Sequence, residues 1–127
     1  MSIFALKEID AVKGKQKFFK LIKNGVCEFD VFEEELESQY ASEMQKIYIL
    51  MDKVANLGSL SEKQFRDLTP IGEKIKEYEF KTHSLRVYAI HEVGTGKIII
   101  TAGYKKTQKS DMKHFRELKR QYLLQGE

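Results

Sequence analysis

The chain reads Leu85-Arg86-Val87-Tyr88-Ala89-Ile90 and, after a short break, Lys97-Ile98-Ile99-Ile100-Thr101. Both runs are rich in β-branched and aromatic residues, the composition of buried strands. Between them, His91–Gly96 contains Gly94-Thr95-Gly96, which reads as a turn. Just upstream, Ile75, Glu77, Glu79 and Lys81 alternate with Lys76, Tyr78, Phe80 and Thr82, the period-two pattern of a strand. Three strands joined by short turns predict an antiparallel meander. Within it Arg86 and Tyr88 lie two apart and therefore share a face.

Downstream, the third strand runs to about Gly103 and is followed by Tyr104 and the basic cluster Lys105, Lys106 and Lys109. Ser110 is the expected cap of a helix to about Leu124. Met112, Phe115, Leu118 and Tyr122 form its apolar stripe, with Lys113, Arg116, Lys119 and Arg120 on the other faces. Upstream, Tyr40, Met44, Ile47, Tyr48, Met51, Val54 and Ala55 recur at steps of three and four, which predicts an amphipathic helix within Gln39–Leu57. Gly58 is its expected C-cap. Ser61 with Gln64 suggests a capping box and a short helix to about Leu68, before the break at Thr69, Pro70 and Gly72.

Nearer the N-terminus, residues 3–9 and Phe18–Ile22 read as strands. Asn24-Gly25 is a favoured hairpin dipeptide, so Val26, Cys27 and Phe29 are expected to return as a short third strand. Asp30 would then cap a helix starting near Val31, in an acidic stretch with no Lys or Arg between Asn24 and Gln45. That stretch reads either as a solvated helix face or as a surface that repels RNA or attracts a basic partner. The order of elements predicts an α+β domain, with helices on one face of an antiparallel sheet.

Composition narrows the function. The 127 residues suit one domain, and 42% are apolar against 32% charged. No apolar run approaches the roughly 20 residues of a membrane-spanning helix. The longest near the N-terminus is Ile3–Leu6, too short for a secretory core. One cysteine, Cys27, excludes an internal disulfide and a cysteine-based zinc site. The expected setting is therefore the cytoplasm, without membrane contact. The net charge of +3 is uneven: residues 1–80 carry 12 Lys/Arg against 15 Asp/Glu, whereas residues 81–127 carry 10 against 4. A basic end invites a polyanion.

Familiar catalytic motifs are missing. Gly94-Thr95-Gly96 lacks the third glycine and the following helix of a dinucleotide site. His83, His91 and His114 have no ligand-like spacing, so neither a metal nor a cofactor is expected. What remains is basic and aromatic: Arg86, Lys105, Lys106 and Lys109, with Tyr104 beside them. Cations for phosphates and rings for bases are what unstacked RNA requires.

The run Leu85–Ile90, a glycine turn, an isoleucine strand and then Lys105-Lys106-Thr107-Gln108-Lys109 before a basic amphipathic helix resembles the RelE/HigB-like toxins. It is most similar to their phage-derived branch, which carries a Lys-Lys-Thr-Gln-Lys signature at this place. Glu79-Phe80-Lys81 is similar to that branch as well. The likeness covers about residues 75–122 and loosens to a two-helix pattern over 31–69. Residues 1–25 then read as an N-terminal strand elaboration of a single domain over 1–127.

The resemblance implies a RelE-like fold, with two helices before the meander and one after it. It implies the toxin component of a type II toxin–antitoxin system, a metal-independent endoribonuclease that cuts mRNA at the ribosome. Its partners would be mRNA, the ribosome and a cognate antitoxin, often a helix-turn-helix protein. On this reading Arg86, Lys105, Lys106 and Tyr104 are catalytic. Arg86 would stabilise the reacting phosphate, the lysines would hold phosphates, and Tyr104 would stack or donate a proton. One lysine could act as a base if repulsion among the three lowers its pKa. Lys81, Tyr88, Lys109 and Lys113 would bind RNA. A non-catalytic module of the same fold and a gyrase-directed toxin are the alternatives.

Overall fold

Residues 85–104 form the two longest strands, and the other elements are arranged around them. The computed structural model describes residues 2–125; Met1, Gly126 and Glu127 of the expected domain lie outside the described residues. In chain order the elements are β1 (Phe4–Glu8), β2 (Phe18–Lys23), α1 (Glu28–Glu34), α2 (Ala41–Ala55), β3 (Phe65–Asp67), β4 (Lys76–Lys81), β5 (Leu85–Glu92), β6 (Gly96–Tyr104) and α3 (Gln108–Leu124). Single 3-10 turns, Ser38–Tyr40 and Lys105–Thr107, lead into α2 and α3.

The protein is α+β, and the meander forms: β4 pairs antiparallel with β5, and β5 with β6. The whole sheet has six strands in the order β1-β2-β6-β5-β4-β3. It is mixed, where the sequence predicts antiparallel pairing throughout. β2 lies parallel to β6, with Phe18 opposite Lys97 and Lys20 opposite Ile99. Parallel neighbours need a long crossover, and the intervening helices and strands supply it.

Helices also cover both faces, not one. Phe80, Leu85, Val87, Ala89 and Ile99 pack with Phe29 of α1 and with Ile47 and Met51 of α2. Tyr88, Ile90, Ile98 and Ile100 pack with Phe115, Leu118 and Tyr122 of α3. The cause is compositional. Both alternating sets of side chains on β5 and β6 are predominantly apolar, so each face needs a cover.

Several local expectations change. Asn24 (φ 51°) and Gly25 (φ 81°) make the tight turn. Val26 then returns only through an isolated bridge to Lys23, and no third strand follows. α1 starts at Glu28 with Cys27, not Asp30, at the N-cap, because Phe29 is drawn into the core. The expected helix over Ser61–Leu68 is a turn followed by β3. There Phe65 pairs with Phe80, and its ring lies 4.9 Å from that of Tyr78 and 4.7 Å from that of Phe80. Edge-strand pairing and aromatic packing outweigh one turn of helical propensity. At the end of α2, Leu57 takes the left-handed conformation (φ 64°). The Gly58 N–H donates to the Lys53 carbonyl at 2.8 Å, so Gly58 sits one position beyond the residue with positive φ. α3 begins at Gln108, and Ser110 lies inside its first turn with its hydroxyl 3.1 Å from the Thr107 carbonyl.

Candidate nucleic-acid interface

The link between β4 and β5, residues 82–84, lies at the same end of the sheet as the exit of β6, because both flank β5. The Lys105 N–H donates to the Ser84 carbonyl at 2.8 Å, so the double lysine begins beside that link. From the other side Glu43 of α2 accepts from the Thr82 hydroxyl at 2.5 Å and from the Ser84 N–H at 2.7 Å. Burial opposes ionisation of Glu43, but these hydrogen bonds outweigh it and hold its carboxyl below the ordinary value. Arg86 completes the clamp, with Nη1 donating to the carbonyls of Thr82 (2.6 Å) and Leu85 (2.8 Å).

Two adjoining hollows open here. One of about 420 Å³ is lined by Tyr40, His83, Ser84, Tyr104, Lys105 and Lys106. The other, of about 610 Å³, includes Lys46, Lys63, Lys81, Arg86 and Lys105, with Glu43 the acidic residue in its wall. His83 and Lys105 belong to both. The Tyr104 ring is held 5.3 Å from both Phe32 and Tyr40, and the Lys106 ammonium lies 5.7 Å from its centre. Burial and the charge of Glu37 raise the Tyr104 pKa. Behind it, a Cβ at Gly103 would meet the Asp111 carboxylate in the first turn of α3, so a larger residue there would require that side chain to move.

Of the residues expected at the site, the fold brings together Lys81, Arg86, Tyr104, Lys105 and Lys106. Tyr88 is not among them. It is fully buried and stacks on Phe115 at 5.4 Å under α3, so it reaches no base. It does share a face with Arg86, but that face is covered where Tyr88 lies. Lys109 and Lys113 are exposed on α3 and line neither hollow. Arg86 is only 6% exposed, so its carbonyl partners hold it in place. Tyr40, Lys46, Lys63 and His83 join the site without a sequence signal. Tyr40 reads as core at helical spacing, and Lys46 lies off the apolar stripe. Lys63 sits where the sequence predicts a helix, and His83 has no motif around it.

The acidic stretch stands partly as structure: Glu33 accepts from the Tyr48 hydroxyl at 2.6 Å. Cys27 is buried, and burial raises its pKa. Among the described residues no group of His, Cys, Asp and Glu is arranged to hold a metal ion. No described helix is long and apolar enough to cross a membrane. What the site can do is hold a polyanion along its cations, offer a ring platform, and present an imidazole, the side chain most used for proton transfer. No protein-family model, curated protein or solved structure shows a significant match to this chain.

Proposed function

We propose that this protein is a RelE-like toxin that cleaves mRNA at the ribosome without a metal ion. The observation that supports this reading most is the convergence of Lys81, Arg86, Lys105 and Lys106 beside Tyr104 at one end of the sheet. In the reaction the 2′-hydroxyl gives up its proton and attacks the adjacent phosphorus. The bond to the 5′ oxygen breaks, and that oxygen takes up a proton. The products are a 2′,3′-cyclic phosphate and a 5′-hydroxyl. Extra negative charge develops on the phosphate oxygens, and preorganised cations stabilise it. Arg86 offers a planar fork suited to those oxygens, and its carbonyl ties fix its direction. Lys105 and Lys106 hold flanking phosphates. The protein works in the cytoplasm and is neutralised by an antitoxin that covers this groove.

Expression without an antitoxin should arrest growth, and incubation with translating ribosomes should yield new mRNA ends. Arg86→Ala and Lys106→Ala should each lower cleavage about 100–1000-fold, the usual cost of losing one donor that stabilises transition-state charge. Equal toxicity of the wild type and both variants would sink these roles. The near burial of Arg86 favours a second reading, a non-catalytic binder. That reading predicts binding that weakens steeply with salt and leaves the RNA intact.

A further inference from the structure

The two hollows differ in chemistry but share a wall. One is walled by Tyr40 and Tyr104, the other by lysines and Arg86. The shared wall, His83 and Lys105, puts a ring platform next to a phosphate track, as base and phosphate adjoin in a nucleotide. The tyrosine rings lie 5.3 Å apart with 57° between their planes. They touch each other and form an angled wall, so a base would rest on it and would not be clamped in a slot. Phe32 backs Tyr104, which keeps the platform ordered before any ligand arrives.

The cationic hollow has two banks. Lys81, Arg86 and Lys105 line the sheet side, whereas Lys46 comes from α2 and Lys63 from the turn before β3. Both far-bank lysines belong to the portion of the chain with more acids than bases. The one carboxylate in the wall, Glu43, is engaged by Thr82 and Ser84. The far bank therefore adds positive charge where the local sequence is otherwise acidic.

We infer that this groove binds unpaired RNA, with one base swung out onto Tyr40 and Tyr104 and the backbone crossing between the two lysine banks toward Lys63 and Lys46. The inference rests on the ribonuclease reading and names the form of its substrate. A duplex keeps its bases stacked and offers no face to the tyrosines, so it would use only the charges.

The test is fluorescence anisotropy with a short 2′-O-methyl RNA, which lacks the attacking hydroxyl and stays intact. The full-length wild type should bind this single strand more tightly than the same sequence as a duplex. Tyr40→Ala should weaken single-strand binding about tenfold or more, the usual effect of removing one stacking ring, while Tyr40→Phe should keep it. Lys46→Gln with Lys63→Gln should reduce the slope of log affinity against log salt by about 1.4, at roughly 0.7 for each phosphate no longer neutralised. Thermal melts of each variant report whether the fold is intact, and Tyr40→Phe serves as the folded reference. Equal affinity for duplex and single strand overturns the inference. So does wild-type binding by both Tyr40→Ala and the double lysine variant. Equal displacement of the RNA by polyglutamate, with no effect of Tyr40→Ala, would point to an acidic protein partner and overturn it as well. Because the probe cannot be cleaved, intact mRNA on ribosomes would remove the ribonuclease reading while leaving this result separate.

Discussion

The two faces of the sheet come from the same strands and both bury an apolar cluster, but they differ in how much charge they bury beside it. Under α2 the packing is carried by Phe18, Ile47, Met51, Phe80 and Val87, all without exposed surface. Lys97 is the buried charge on that face, and it lies at the end away from the groove. Its ammonium is 3.1 Å from Gln16 Oε1 and 4.8 Å from the centre of the Tyr78 ring, and burial lowers its pKa. Under α3 the sheet buries charge in quantity: Glu77, Glu79 and Lys119 are at most 5% exposed. Glu77 accepts from Arg116 Nε at 3.0 Å and from Lys119 Nζ at 2.8 Å. Gln108 donates to Glu79 at 2.8 Å.

The difference explains how a guanidinium comes to stand at the groove. Arg86 precedes Tyr88 in the same alternating row, opposite the row of Glu77, Glu79 and Lys81 on β4. That face already carries polar side chains inward, so a charged residue at its end interrupts no apolar packing. Three polar atoms there have no hydrogen-bond partner among the described residues: Glu79 Oε1, Arg86 Nε and the Tyr88 hydroxyl. Unpaired buried groups destabilise a fold, so the polar face is the more fragile of the two.

The sharpest way to break this contrast is Glu77→Ala. It leaves the buried Lys119 ammonium with only the half-exposed Glu73 carboxylate, 3.6 Å away, and should cost about 3 kcal/mol in urea denaturation. Glu77→Met combined with Lys119→Met should recover most of that loss, since an apolar pair of similar volume can replace a buried ion pair. A single variant as mild as a surface change would show that the pair is not buried in solution. On the apolar face, Ile47→Val should cost only about 0.5–1.5 kcal/mol, and no second substitution should be needed to explain it.

Tyr88→Phe should leave stability unchanged or slightly higher, because the hydroxyl it removes has no hydrogen-bond partner among the described residues. RNA affinity should not change either, and a clear loss of binding would return Tyr88 to the interface. The smallest effect concerns Glu43, whose native pKa is lowered from an unfolded value near 4.5. Its contribution is therefore complete above that value and is lost as pH falls through the lower native one. Melting temperatures across this acid range should fall less steeply for Glu43→Gln than for the wild type.

Much of the molecule is legible in the chain before it folds. The β-branched runs at 85–90 and 97–101 mark the central strands, and the three-four spacing of Met44 to Val54 marks α2. The position of Arg86 on its strand and the double lysine after the last strand mark most of the basic side of the site. Tyr88 departs from expectation because alternation says which residues share a face, not where along that face a helix lies. Lys46, Lys63 and Tyr40 carry no signal because each is an ordinary residue in its own segment.

The sequence alone therefore determined the α+β class, the meander, two of the helices and the basic character of the C-terminal part. These depend on local periodicity and composition, which act over a few residues. Tertiary structure alone decided that β2 would lie parallel to β6, that 65–67 would be a strand, that α3 would cover the face opposite α2, and that Lys46 and Lys63 would stand across from Arg86. Such outcomes depend on apolar area and hydrogen bonds summed over distant segments, and no local pattern encodes that sum.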